Sequence, residues 1–202
     1  AANEVASMNP KLTLKQAKQV IADNVDDVKR LQKLTNSMLG LLKEDKLEIQ
    51  KNKVSLQPVI ARAMNLVVNQ ALAKDIAIDD KTKNFLLLGD RQSLEQLFTI
   101  LLDNAIKYSN KGGTITISSS KKGKHVSVAV ADAGIGMSDE VKSQIFTRFY
   151  RAEESRTTAG YGLGLSIAER IIKAHGGRIN VDSEQNVGST FTVILPAYNK
   201  KK

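Results

Sequence analysis

Four short segments in the C-terminal half combine residue types that could hold a nucleotide: Asp103-Asn104-Ala105-Ile106-Lys107-Tyr108, Asp132-Ala133-Gly134-Ile135-Gly136, Phe146-Thr147-Arg148-Phe149 and Gly160-Tyr161-Gly162-Leu163-Gly164-Leu165. The amide oxygen of Asn104 is a hard ligand suited to magnesium, which keeps several waters and takes few protein ligands. Lys107 and Tyr108, three and four residues on, share its helical face. An ammonium that can reach phosphate oxygens and a phenol that can lie against a purine therefore project beside it. Asp132 ends a strand that is apolar at alternate positions, where a carboxylate is costly unless paired. Gly134 and Gly136 let the backbone turn sharply and approach a flat ligand without a Cβ clash. Gly160, Gly162 and Gly164 lead into a helix from Leu163 to His175, where unpaired N–H groups and the helix dipole favour phosphate. Taken singly, these are also a polar helix face, a tight Asp-capped loop and a glycine-rich turn. The last is neither a Walker motif, since no Gly-Lys-Ser/Thr follows, nor a dinucleotide fingerprint.

The order and spacing of the four segments resemble the N, G1, F and G2 boxes of the ATP-binding domain of sensor histidine kinases, the kinase branch of the GHKL ATPases, from about Val54 to Pro196. Four boxes in sequence are far more specific than one glycine pattern. The resemblance implies an α/β two-layer sandwich of the GHKL or Bergerat type, with ATP and Mg2+ bound. It implies transfer of the ATP γ-phosphoryl group to a histidine, with relay to an aspartate of a response-regulator receiver domain. It assigns Lys107 to phosphate, Tyr108 to the adenosine, and Asp132 to the adenine exocyclic amine. Gly134, Gly136, Gly160, Gly162, Leu163, Gly164 and Leu165 would line the pocket, and a hydroxyl of Gly188-Ser189-Thr190-Phe191, taken as Thr190, would support the adenine site. Arg148, Arg151 and Arg156 fall in a stretch read as a lid over ATP. One of them would meet the γ-phosphate as charge develops. Asn104, Lys107, Arg148 and Arg151 thus form the catalytic set, and Phe146 and Phe149 are expected to anchor one end of the lid in apolar contacts. The chain departs from a frequent family pattern at Ile100, where many members carry a second Asn one turn before the metal ligand.

The elements that position these residues are legible in the hydrophobic period. From about Leu14 to Glu44, Ile21, Val25, Val28, Leu31, Leu34, Met38, Leu41 and Leu42 recur every three or four positions, the narrow seam of a helical bundle and of a dimer. Asn9-Pro10 breaks the chain before it, so Ala1 to Met8 would end an earlier helix. Lys46 to Lys53 reads as a linker. Leu56 to Ala73 reads as a helix, Ile76 to Ile78 and Phe85 to Leu88 as short strands, and Arg91 to Tyr108 as a helix capped by Asp90. Leu94, Leu97, Leu101 and Ile106 would face the sheet. Thr114 to Ile117 and Val126 to Val130 alternate with period two and form a hairpin through Lys121 to His125. Ser138 caps a short helix through Ile145, and Arg178 to Val181 and Thr190 to Leu195 supply two final strands. The expected division is 1–52, the helical dimerisation segment and linker, and 53–202, the ATP-binding domain, with one sheet covered on one face by helices.

Composition narrows the partners. A chain of 202 residues with 42% hydrophobic content suits one well-packed domain plus an appendage. Cysteine is absent, which excludes disulfides and thiolate metal sites and fits a cytoplasmic setting. No apolar run approaches the roughly 20 residues of a membrane-spanning helix, so no membrane contact is expected of this stretch, although most relatives of the resembled family are membrane-anchored. The formal charge is +9, but the basic residues are scattered and aromatics make up 4%, so no nucleic acid is expected. His175 reads as a helix stop whose imidazolium would complement the dipole, and His125 as a hairpin-edge residue. Residues 1–53 contain no histidine, so the acceptor is expected upstream of Ala1 and the chain is not expected to label itself. Two rivals share the pocket: an anti-sigma-type protein serine kinase, which would lack the long amphipathic helix, and a nucleotide-sensing module that transfers nothing.

Overall fold

The computed structural model describes residues 13–25, 28, 49–152 and 161–198. The chain divides into two compact units, Ala1–Asp45 and Lys46–Lys202. In the first, helix α1 is described over residues 14–25. It opens on a capping box: the Thr13 N–H donates to Gln16 Oε1 at 3.0 Å and the Gln16 N–H to Thr13 Oγ1 at 3.3 Å. Its apolar stripe is uncovered, with Leu14, Ile21, Val25 and Val28 all exposed. The rest of the expected seam, from Leu31 to Leu42, and the expected earlier helix at Ala1 to Met8 lie outside the described residues.

The second unit carries seven strands and four helices among its described residues: β1 (Asn52–Ser55), α2 (Leu56–Ala73), β2 (Ala77–Lys81), β3 (Leu86–Gly89), α3 (Arg91–Tyr108), β4 (Thr114–Lys122), β5 (His125–Asp132), α4 (Asp139–Gln144), α5 (Gly164–Ala174), β6 (Arg178–Glu184) and β7 (Gly188–Pro196). Five strands form one sheet in the order β2-β4-β5-β7-β6, and β1 pairs with β3 in a separate antiparallel ribbon. Only β2 and β4 run parallel within the larger sheet. The stretch read as a linker therefore already contributes Asn52 and Lys53 to β1, because Val54 has a buried place beside Leu87 to fill.

Alternation decides which face of the sheet is covered. Ile115, Ile117, Val126, Val128, Val130, Val193 and Leu195 are buried, while their neighbours Thr116, Ser127, Ala129, Thr192 and Ile194 are not. Helices α2, α3 and α5 meet the buried face through residues such as Leu56, Ile60, Leu94, Leu97, Phe98, Leu101, Ile171 and Ile172, each at most 2% exposed. The result is the two-layer α/β sandwich that the period predicts. Among the described residues, no helix is long and apolar enough to cross a membrane.

His175 departs from the sequence reading. It is 1% exposed, its Nδ1 lies 2.7 Å from the Ile171 carbonyl, and its Nε2 accepts the Asp90 N–H at 3.0 Å. One nitrogen must donate and the other accept, so the ring is neutral. Burial, the largest influence, holds its pKa below the ordinary 6.5, with Lys51 acting in the same direction and the hydrogen bonds and Asp90 opposing. The imidazolium expected at this helix end is replaced by a buried tie between α5 and the start of α3.

Candidate functional site

Six of the expected residues come together where α3, α4, α5 and the ends of β5 and β7 meet. Asn104, Tyr108, Asp132, Gly136, Arg151 and Leu165 line one open, mostly apolar cleft with a few polar groups turned into it, the character of a small-molecule site.

Helix α3 presents the first group. Its start is fixed by Asp90, whose carboxylate accepts the Ser93 N–H at 2.8 Å. Its end is fixed by Lys74, whose ammonium donates to the carbonyls of Ile106 at 3.0 Å, Lys107 at 2.7 Å and Ser109 at 3.3 Å. Between these anchors Leu97, Leu101 and Ala105 face the core, which turns Asn104 and Tyr108 to the cleft. The Asn104 Nδ2 is buried with no partner within the protein, an arrangement that costs free energy until something brought into the cleft satisfies the amide. Lys107 is held by Asp103 at 2.5 Å on the helix surface and does not line the cleft, so reaching a phosphate requires release from that pair.

Asp132 stands at the end of β5. Its Oδ1 accepts the Gly134 N–H at 3.0 Å, and the Ser189 N–H also donates to the carboxylate. Burial nevertheless dominates and raises its pKa above 3.8, with those two hydrogen bonds opposing. The group remains an acceptor short of donors at the cleft wall. The loop after it is locked at close range: Gly136 has φ +61°, and a Cβ there would meet the Glu184 carbonyl at 1.8 Å. The Ile135 N–H donates to the Tyr108 carbonyl at 3.2 Å, which ties this loop to the end of α3.

The third group is the start of α5. Gly164 opens this helix with no side-chain cap and no acidic residue in its first turn, which leaves N–H groups for an anion. Leu163 is a core residue rather than a cleft residue, at 4% exposure, and Leu165 lines the cleft. Gly162, at φ +69°, receives the Phe149 N–H on its carbonyl at 3.0 Å, so the F and G2 segments are joined through backbone. Gly134 and Gly162 shape the walls without lining them, and Gly160 and Arg156 lie outside the described residues.

Several placements differ from expectation. Phe146 packs against the core, but Phe149 is 54% exposed with φ +64°, and Tyr150 takes the cleft position beside Arg151. Arg148 is not in the lining. Thr190 shares a sheet face with Thr192, whereas Ser189 and Phe191 face the cleft. Ser189 pairs in register with Asp132, and its hydroxyl lies 3.0 Å from that of Ser183. The resemblance points to a hydroxyl of this turn, read as Thr190, while period two in β7 already puts Ser189 on the side of Phe191. Also missed were the apolar walls Ile135, Met137, Val141 and Ile145, and Gln185 from the β6–β7 turn. Val141 and Ile145, four apart on a short helix, were the legible signal.

Magnesium fits this site only together with phosphate. Among the described residues no group of three His, Asp or Glu could hold a metal, but an ion that keeps its waters and phosphate oxygens needs little more than one amide oxygen, which Asn104 offers at the cleft, while its unpartnered Nδ2 is a donor that suits an acceptor such as a phosphate oxygen.

Residues 89–199 match the family model described as histidine kinase-, DNA gyrase B-, and HSP90-like ATPase. The chain is similar to the sensor histidine kinase YkoH of Bacillus subtilis (strain 168), 38% identical over 172 residues, which cover 84% of the chain and 37% of that relative. It thus spans well under half the length of such a relative. Among solved structures it resembles full-length ShkA in complex with AMPPNP, with TM-score 0.80 and 27% identity over 96% of this chain and 41% of that one. It also resembles histidine kinase ThkA in complex with the response regulator protein TrrA, with TM-score 0.71 and 26% identity over 94% of this chain and 53% of that one.

Proposed function

The chain belongs to the histidine kinase-, DNA gyrase B-, and HSP90-like ATPase family, and from that premise we propose that it is the ATP-binding catalytic part of a sensor histidine kinase, with residues 1–52 belonging to its dimerisation segment and 53–202 to its catalytic domain. The observation that carries this reading is one cleft that holds both a half-buried acceptor, Asp132, and a buried amide without a partner, Asn104. Asp132 reads the exocyclic amine of adenine, and Ser189 holds the carboxylate in place through its N–H. Tyr108, Ile135, Met137 and Phe191 provide apolar surface for the base. Asn104 ligates Mg2+, which supplies charge neutralisation at the phosphates when bound. The open N–H groups of α5 receive phosphate oxygens. Lys107 and either Arg148 or Arg151 stabilise the charge that develops as the γ-phosphoryl group leaves.

The acceptor histidine lies outside this chain. His175 is buried with both ring nitrogens engaged, and His125 sits at the far end of β5 from Asp132. A response-regulator receiver domain is the next acceptor, and the parent protein works in the cytoplasm or on the cytosolic side of a membrane.

Calorimetry with ATP and magnesium tests the site. Binding is expected for the unaltered chain and strong weakening for Asp132→Ala, and the absence of either overturns the reading. Supplying a separate helical domain with an acceptor histidine and γ-labelled ATP tests transfer. Label is expected on that domain and not on His125 or His175.

A further inference from the structure

Lysines that look scattered along the sequence are gathered by the fold. Lys83, Lys121, Lys122 and Lys124 stand at the end of the sheet opposite Asp132. Lys83 is fixed there by Ser119, whose hydroxyl accepts its N–H at 2.8 Å and donates to its carbonyl at 3.2 Å. Lys121 is two residues further along β4, and Lys122 pairs with His125 across the hairpin. The Lys124 carbonyl accepts the Ala197 N–H at 2.9 Å, and the next residue, Tyr198, donates its N–H to Leu86 at 2.8 Å. Lys53 places its Nζ 5.7 Å from the centre of the Tyr198 ring and stands directly across from Leu88. The sequence positions are distant, but the surface is continuous.

Its chemistry is distinctive. All five lysines are exposed, and among the described residues none of them forms an ion pair, whereas the nearby Lys81 is neutralised by Asp79 at 2.9 Å. Gly123, at the hairpin tip, has nothing within 4 Å of where a Cβ would stand, so the tip projects freely. Between the lysines lie two leucines of β3, Leu86 and Leu88, 39% and 37% exposed. They share the outer face of the β1–β3 ribbon with Lys53, since Val54 and Leu87 fill the inner face.

We propose that this basic end of the catalytic unit docks on the surface of an anionic lipid bilayer. Protein interfaces favour arginine and deplete lysine, because a guanidinium fork matches a fixed carboxylate while an ammonium is a mobile point charge. Five lysines in the patch suit a fluid sheet of headgroups instead, where clusters of this size are effective. Lysine stems can lie along apolar surface with their heads in the phosphate layer, and Leu86 and Leu88 offer the apolar ledge. Single-stranded nucleic acid would want exposed aromatic platforms, and the one aromatic here is already covered by Lys53. The eight residues of β5 separate the patch from Asp132, roughly 23 Å at strand rise, so the nucleotide cleft faces away from the bilayer. Surface contact of this kind needs no spanning helix. It goes beyond the expectation of no membrane contact, which rested on the lack of a membrane-spanning run.

Vesicle sedimentation with the whole chain tests this. Vesicles containing phosphatidylglycerol are expected to retain the protein at low salt and to release most of it at high salt, where charges are screened. Neutralising the hairpin as Lys121→Gln, Lys122→Gln and Lys124→Gln is expected to weaken retention about fivefold per charge, on the order of a hundredfold together, with ATP binding unchanged as proof of folding. Leu88→Ser should reduce the salt-resistant fraction. Equal retention on phosphatidylcholine alone, no retention on anionic vesicles, or an unaffected triple variant would each overturn the proposal. Tighter binding to polyglutamate or to a DNA duplex than to the vesicles would overturn lipid as the partner.

Discussion

Asp132 and His175 are both buried ionisable groups, and the fold treats them oppositely. Asp132 keeps its acceptor role at a cost, since burial raises its pKa above 3.8. A group whose folded pKa is raised destabilises the charged fold above that pKa, and the penalty disappears as pH falls toward the unfolded value. Asp132→Asn should therefore raise the melting temperature of the ligand-free protein at neutral pH. The same change should weaken ATP about tenfold to a hundredfold, the range of a hydrogen bond to a charged group, which calorimetry reads. His175 runs the other way. Its folded pKa lies below 6.5, so its contribution is complete above about that value and is lost as pH falls below it, where the unfolded chain binds the extra proton. Urea unfolding is expected to give lower stability at pH 5.5 than at pH 7.5. His175→Gln should flatten that part of the slope while retaining a donor and an acceptor.

Among the elements, α3 matters most for the cleft because its last turn carries Asn104, Lys107 and Tyr108. Both ends of that helix are closed by side chains, and only one closure is local. Asp90 caps a segment that begins one residue later, which is why the start of α3 could be read directly. Lys74 closes the other end from 32 to 35 residues away, a contact that no local pattern announces. Lys74→Met should leave three carbonyls short of a donor, with a cost of about 1.5 to 3 kcal/mol. The turn that holds Asn104 and receives the Ile135 N–H would loosen, so ATP affinity should fall severalfold, with Lys74→Arg restoring part of it. Thermal melting and calorimetry on the same preparations separate the two effects.

For the whole molecule, the two units divide the work. The first leaves Leu14, Ile21, Val25 and Val28 between 45% and 74% exposed, an apolar stripe that a second copy of the chain would cover. We expect Ile21→Asp with Val25→Asp to convert a dimer to a monomer by light scattering. Binding of ATP should stay unchanged, because every residue lining the cleft belongs to the second unit.

What the sequence alone determined is what depends on near neighbours. The apolar period drew α3 to its final residue, alternation drew β4, β5 and β7, and the Asp132-to-Gly136 and Gly162-to-Leu165 stretches marked turns where backbone must approach closely. Asn104, Tyr108, Asp132 and Gly136 drew attention by such local features, Arg151 and Leu165 only through the resemblance of the four segments, and all six line the cleft. What only the tertiary structure decided is which distant side chains complete each group: Ser189 rather than Thr190 beside Asp132, Tyr150 at the cleft while Phe149 stays exposed, Lys74 under α3, and His175 neutral between α5 and Asp90. Those outcomes turn on burial and on hydrogen bonds across the sheet and between helices. Neither quantity exists for a residue until the chain around it has packed.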